Sequence, residues 1–173
     1  MIFSPDDIRA VRPIAENVND TKRLLPYIDE CERLFLIPKL GAKQYKLIET
    51  AIANSLLLEN PIVLSADITN LLDGCYYDSD NERCEGLKKA MGYLVYSRFV
   101  RNQNVNVTAF GITSKNSDFS EKVDDKTIVR IANDAESIGI EYLKQCVDFL
   151  NFGKQQEDKR IFKPKCKFKA IGD

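Results

Sequence analysis

The chain has 173 residues, 44% of them hydrophobic and 29% charged, with 25 Lys and Arg against 26 Asp and Glu and a net charge of −1. That length and balance fit one soluble globular domain, and they exclude wholesale disorder, a collagen-like repeat, a membrane bundle and a general basic coat for nucleic acid. The absence of His excludes a His-containing catalytic triad, a Cys–His pair and any His-liganded metal centre.

In chain order, Ser4-Pro5 reads as a helix start, a capping side chain followed by a ring already fixed near helical φ, with Asp6 and Asp7 at the positive end. This short helix is expected to end before Pro13. Asp20-Thr21 can cap a second helix running to about Leu36. Leu24, Leu25, Ile28, Cys31, Leu34 and Phe35 make its apolar face, and Pro38 closes the segment. A third helix is expected over roughly Gly41 to Ser55, and a fourth, short one from about Ser65 to Leu72. Asp73 to Asn81 reads as a loop, and a fifth helix from about Glu82 to Arg101 is apolar nearly all round, which places it at the centre of a bundle.

Residues 102–124 break the helical pattern. Val105 and Val107 alternate with polar neighbours at a period of two, which predicts a short strand or hairpin. The last helix is expected from Asp124-Asp125 to about Phe152. Its stripe is Ile128, Ile131, Ala132, Ala135, Ile138, Tyr142, Cys146 and Phe149, antiparallel to the fifth helix, with Gly92 and Gly139 allowing close approach. Leu94 and Ile131 are expected in the central contact. The fold class is therefore mainly α: a bundle of five to six helices with a short β-like insert (102–124) and an extended basic tail. Residues 1–152 form one domain and 153–173 the tail or arm.

Chemical signals are sparse. The five cysteines, Cys31, Cys75, Cys84, Cys146 and Cys166, include no C-x-x-C pair. Reduced thiols in a cytoplasm are the simplest account, with a redox pair at Cys75 and Cys84 as the alternative. The first residues, Met1 to Asp7, do not read as a secretory signal, and no run of about 18 apolar residues occurs. The acidic loop Asp78 to Glu82 starts like a calcium loop. However, Arg83 stands where that loop needs Gly, and Lys89 where it needs a bidentate Glu. No Gly-rich phosphate loop is present. The expectation is no catalytic residue, no metal and no cofactor.

The tail carries seven basic and three acidic residues. Lys163, Lys165, Lys167 and Lys169 alternate with Pro164, Cys166 and Phe168. Three readings stay open: a solvated end, an arm adding a strand to a neighbouring subunit, or a short footprint for nucleic acid phosphates on the four lysines, without sequence-specific readout. Val105, Val107, Phe110, Phe119, Phe162 and Phe168 are the candidate interface residues.

Leu36-Ile37-Pro38-Lys39-Leu40-Gly41, Leu71-Leu72-Asp73-Gly74-Cys75-Tyr76, Gly86-Leu87-Lys88-Lys89-Ala90 and Val107-Thr108-Ala109-Phe110-Gly111-Ile112, the last followed by Lys115 to Ser120, occur in this order. Over about residues 5–152 the chain resembles small proteins of phages and prophages of Bacteroides-type bacteria, similar in size and helical layout to head–tail connector, or adaptor, proteins. The resemblance implies a virion structural protein made in the host cytoplasm. It would form a ring of copies under the portal and contact portal and tail components, with DNA passing through the centre. A head- or tail-completion role, or a non-catalytic DNA-binding or regulatory role using the tail, is the alternative.

Overall fold

The computed structural model describes residues 1–14, 18–56, 63–79, 81–102, 105–108, 111–114 and 124–161. The mainly helical bundle with a β insert is present. Counting one continuous run as a single helix, six helices and two hairpins occur among the described residues.

Helix α1, Pro5–Val11, starts as its sequence requires. The Asp7 amide donates to Ser4 Oγ at 3.3 Å, and the Ser4 amide donates to Asp7 Oδ2 at 2.9 Å, a reciprocal cap. The next helical run extends from Asp20 to Leu40, capped by Asn19, whose Oδ1 accepts from the Lys22 amide at 2.8 Å. Within it a π-helical turn, Asp20–Leu24, precedes α2, Leu25–Cys31, and a second, Glu32–Leu36, precedes α3, Ile37–Leu40.

The expectation that Pro38 ends this helix is corrected. Each wide turn sits just before a proline: the Leu25 N–H reaches Asp20 O before Pro26, and the Ile37 N–H reaches Glu32 O before Pro38. Proline breaks an α-helix because its ring meets the carbonyl four residues back and its N–H is missing. Widening to a five-residue spacing relieves that crowding, so the run continues. It stops at Gly41, where φ is +82°.

Helix α4 is Ala42–Ser55, and α5 is Ala66–Asp73, capped by Ser65. The fifth helix starts later than Glu82, because Cys75–Tyr77 (β1) and Glu82–Cys84 (β2) pair as an antiparallel hairpin with Tyr77 opposite Glu82. Helix α6 then runs Leu87–Asn102, and its buried residues, including Leu87, Met91, Leu94, Val95 and Phe99, cover most of its circumference. A second antiparallel hairpin, Val105–Thr108 (β3) with Gly111–Ser114 (β4), lies in the stretch expected to hold it. Helix α7 spans Asp125–Ile161. Gly153 therefore does not end the last helix, and the boundary drawn between domain and tail at 152/153 falls inside it. An exposed Gly in a helix costs only about 1 kcal/mol relative to Ala, which the rest of a long helix outweighs.

Helices α6 and α7 run antiparallel as expected, but the seam is displaced. On α7 the buried line is Ala132, Ala135, Gly139, Leu143 and Cys146. Leu94 is 1% exposed, whereas Ile131 is 38% exposed and not part of the central contact. Small residues let the backbones approach: a Cβ on Gly139 would lie 2.7 Å from Leu94 Cγ and 3.0 Å from Ala90 O. Gly92 serves a different neighbour, since its Cβ would meet Val11 of α1 at 2.6 Å. Arg12 places its guanidinium over the Tyr93 ring, 4.2 Å from the centroid, and Tyr93 meets Tyr142 edge-on at 5.6 Å.

Glu32 pins the start of the chain. Its carboxylate, 2% exposed, accepts from the Ile2 and Phe3 amides at 2.7 and 3.2 Å and from Tyr45 Oη at 2.8 Å. The terminal amine of Met1 pairs with Glu49 at 2.6 Å.

Candidate functional site

The structure places two of the six expected interface residues. Val105 and Val107 lie on β3, where the register sets them opposite Ser114 and Ile112. Phe110, Phe119, Phe162 and Phe168 lie outside the described residues, as do Lys163, Lys165, Lys167 and Lys169. The proposed strand over the tail lysines lies there too.

Sequence reasoning missed other surfaces, because it placed its interface candidates on the 102–124 insert and the tail and gave no role to apolar residues outside the inward helical stripes. On α4, Leu47 is 55% exposed on an open face that it shares with Lys43, Lys46, Thr50 and Ala51. On α7, Val129 is 47% and Ile140 41% exposed. Eleven residues apart, these two share one helical face, since eleven steps make just over three whole turns, with Asn133 and Glu136 between them bonded to Arg101. A further cavity of about 450 Å³ opens between α4, α5 and the C-terminal part of α7. Tyr77, Phe149 and Phe152 form its aromatic side. Tyr77 lies 5.3 Å from each phenylalanine ring.

The densest chemistry is sulfur. Cys75 and Cys84 are directly opposed in the β1–β2 register, and Cys84 Sγ lies 3.5 Å from Cys146 Sγ of α7. Glycines hold this arrangement. A Cβ on Gly86, where φ is +92°, would lie 2.6 Å from Gly74 N and Leu72 O, so the two ends of the hairpin meet backbone to backbone. The Glu85 amide donates to Gln145 Oε1 at 3.3 Å, which ties β2 to α7.

The three thiols differ. Burial pushes Cys75 up from the ordinary thiol range. The close contact with the Cys146 sulfur draws Cys84 down against its own burial, and the Gly86 backbone adds to the effect. The same contact, together with burial, holds Cys146 firmly protonated. Cys75 and Cys84 both line a cavity of about 160 Å³, with Arg83 and Lys89 at its edge, each ion-paired to Glu85.

The acidic turn carries no comparable assembly. Asp78 and Ser79 sit at φ of +51° and +55°, and the Asn81 amide closes the turn on Asp78 O at 3.2 Å, so these residues serve the hairpin rather than starting a helix. Among the described residues no group of three or more Cys, Asp or Glu is placed to hold a metal ion, and no helix is long and apolar enough to cross a membrane.

A family model described as a family of unknown function (DUF6712) matches residues 44–156, about two thirds of the chain. The chain belongs to the DUF6712 family. The DUF6712 match begins within α4 and ends within α7, so it takes in both hairpins, the helix seam and the three clustered thiols, and leaves out the proline-bearing run before α4. No curated protein and no solved structure matches the chain.

Proposed function

We propose that this DUF6712 chain is a virion structural protein, a head–tail connector or adaptor subunit that joins copies of itself into a ring under the portal. The observation that carries this reading is that large apolar side chains are exposed on two different elements, Leu47 on α4 and Val129 and Ile140 on α7. A ring closes through heterologous contact, in which one patch meets a different patch on the next copy. Isolated exposed apolar side chains are ordinary; two different helix faces that each offer one are what such a contact needs. The near-neutral charge supports the same reading, because a ring through which DNA travels must not hold it tightly. The resemblance of residues 5–152 to phage connector-like proteins points the same way.

The test is assembly, read by mass photometry and negative-stain microscopy with and without portal protein. Rings of the parent chain are expected. Leu47→Glu and Val129→Glu should each abolish rings while leaving the melting midpoint unchanged. An equimolar mixture of the two should yield dimers through the one intact pair of faces. Rings that persist in both variants, or a parent chain that stays monomeric on the portal, would overturn the reading.

A further inference from the structure

We infer that Cys84 and Cys146 form a peroxide-responsive dithiol site, in which oxidation ties the β1–β2 hairpin to the middle of α7 by a disulfide. The inference is independent of the assembly reading and rests on the placement of three sulfurs. Cys84 and Cys146 are 1% and 0% exposed, and their Sγ atoms are 3.5 Å apart. A disulfide needs about 2.05 Å, so closure requires a movement of about 1.5 Å. The positions are 62 residues apart in sequence, so the bond would close a long loop.

Oxidant chemistry follows from the cavity. Its volume of about 160 Å³ leaves room for a small oxidant. Hydrogen peroxide fits; a tripeptide disulfide does not. Cys84 lines this cavity, as Cys146 does not, and its contact with the Cys146 sulfur favours its thiolate, so it is the sulfur best able to react.

Cys84 Sγ attacks one peroxide oxygen. An S–O bond forms, the O–O bond breaks, and the departing hydroxide takes up a proton to give water. Cys146 Sγ then attacks Cys84 Sγ. The S–S bond forms, the S–O bond breaks, and hydroxide leaves with the proton of Cys146 as a second water. Two thiols have lost two electrons and one peroxide has gained them, and a dithiol reductant reverses the change. Cys75, on the same hairpin and lining the same cavity, is the less buried thiol that larger disulfides reach.

The experiment treats the full-length reduced protein with equimolar hydrogen peroxide or with oxidised glutathione, then measures intact mass, free thiols and the melting midpoint. With peroxide, the five thiols should fall to three, the mass should drop by two hydrogens, and peptide mapping should join the peptides holding Cys84 and Cys146. The midpoint should rise by roughly 5 °C, as expected for a long closed loop. Cys75→Ser should form the same link, and Cys146→Ser should leave a sulfenic acid on Cys84 that dimedone traps. Oxidised glutathione should add to Cys75 and leave Cys146 free. A Cys75–Cys84 link in the parent protein, or peroxide consumption at Cys166 alone, would overturn the inference whether or not the variants fold.

Discussion

Leu94 and Ile131 show how single residues divide on either side of a helix seam. Both are large and apolar, and both carry the three- and four-residue spacing of an inward stripe. Leu94 fills the space opposite Gly139 at 1% exposure, whereas Ile131 precedes the seam residue Ala132 and is 38% exposed. Leu94→Asp should therefore leave the chain without a cooperative melt, because a carboxylate placed there is buried without a partner. Ile131→Asp should shift the melting midpoint by only a degree or two, a change of about 0.5 kcal/mol.

Titration gives a second test at the same scale. Burial pushes the Cys31 thiol up to about 12 and raises Tyr45 as well. Groups whose folded values are raised contribute their full stability below the unfolded value and lose it as pH rises toward the folded one. For Cys31 the window runs from the ordinary thiol value of 9.0 to about 12. The urea midpoint should hold steady up to about pH 8.5 and fall progressively above it. An alkaline limb equal to the neutral one would show that these groups are not buried in the protonated form.

At the scale of elements, apolar spacing located the helices well and their ends poorly. Ser4 was a legible cap because a short hydroxyl before Pro5 and two acidic residues has one local use, whereas the cap read at Asp20-Thr21 falls instead on Asn19, and Ser65 was read only as a helix start. Val105 and Val107 marked the β3–β4 hairpin by alternation. The β1–β2 hairpin was not legible. Its strands are three residues each, too short for a period of two to register, and the acidic turn between them shares its composition with a helix N-terminus. The decisive residues were Gly74 and Gly86, whose positive φ brings the hairpin ends into contact, and neither has a distinctive neighbourhood in sequence. The long helix through Pro26 and Pro38 was hidden for a related reason, since a proline in sequence does not tell a helix that stops from one that widens and continues. The thiol site was half legible: Cys75 and Cys84 stood out as a pair, but their partner Cys146 lies far along the chain and only folding brings it close. Gly86→Ala should destabilise by about 2–4 kcal/mol, combining positive-φ strain with a backbone clash, and should separate the hairpin from α5. A parent-like denaturation curve would mean that the hairpin ends can relax apart at little cost.

For the whole molecule, α6 is the shared centre among the described residues, with α1, α2, α5 and α7 packed against it. If the basic tail serves DNA rather than assembly, changing Lys163, Lys165, Lys167 and Lys169 to Ser should abolish salt-sensitive DNA retention, with binding before the change falling steeply as salt rises. The same variant should melt with the parent, because the charged, alternating segment contributes no run of core residues; a loss of several degrees would place it within the fold. The proportions of α7 have a mechanical consequence. At 37 residues it is about 55 Å long against about 24 Å for the 16-residue α6, and it is held in succession by Gly139 against α6, by Cys146 against the β1–β2 hairpin and by Phe152 against Tyr77. The stretch from Phe152 to Ile161 adds about 14 Å of helix, so a bend of about 10° past Phe152 would move the tip by only about 2 Å. Three grips in series therefore set where the far end points.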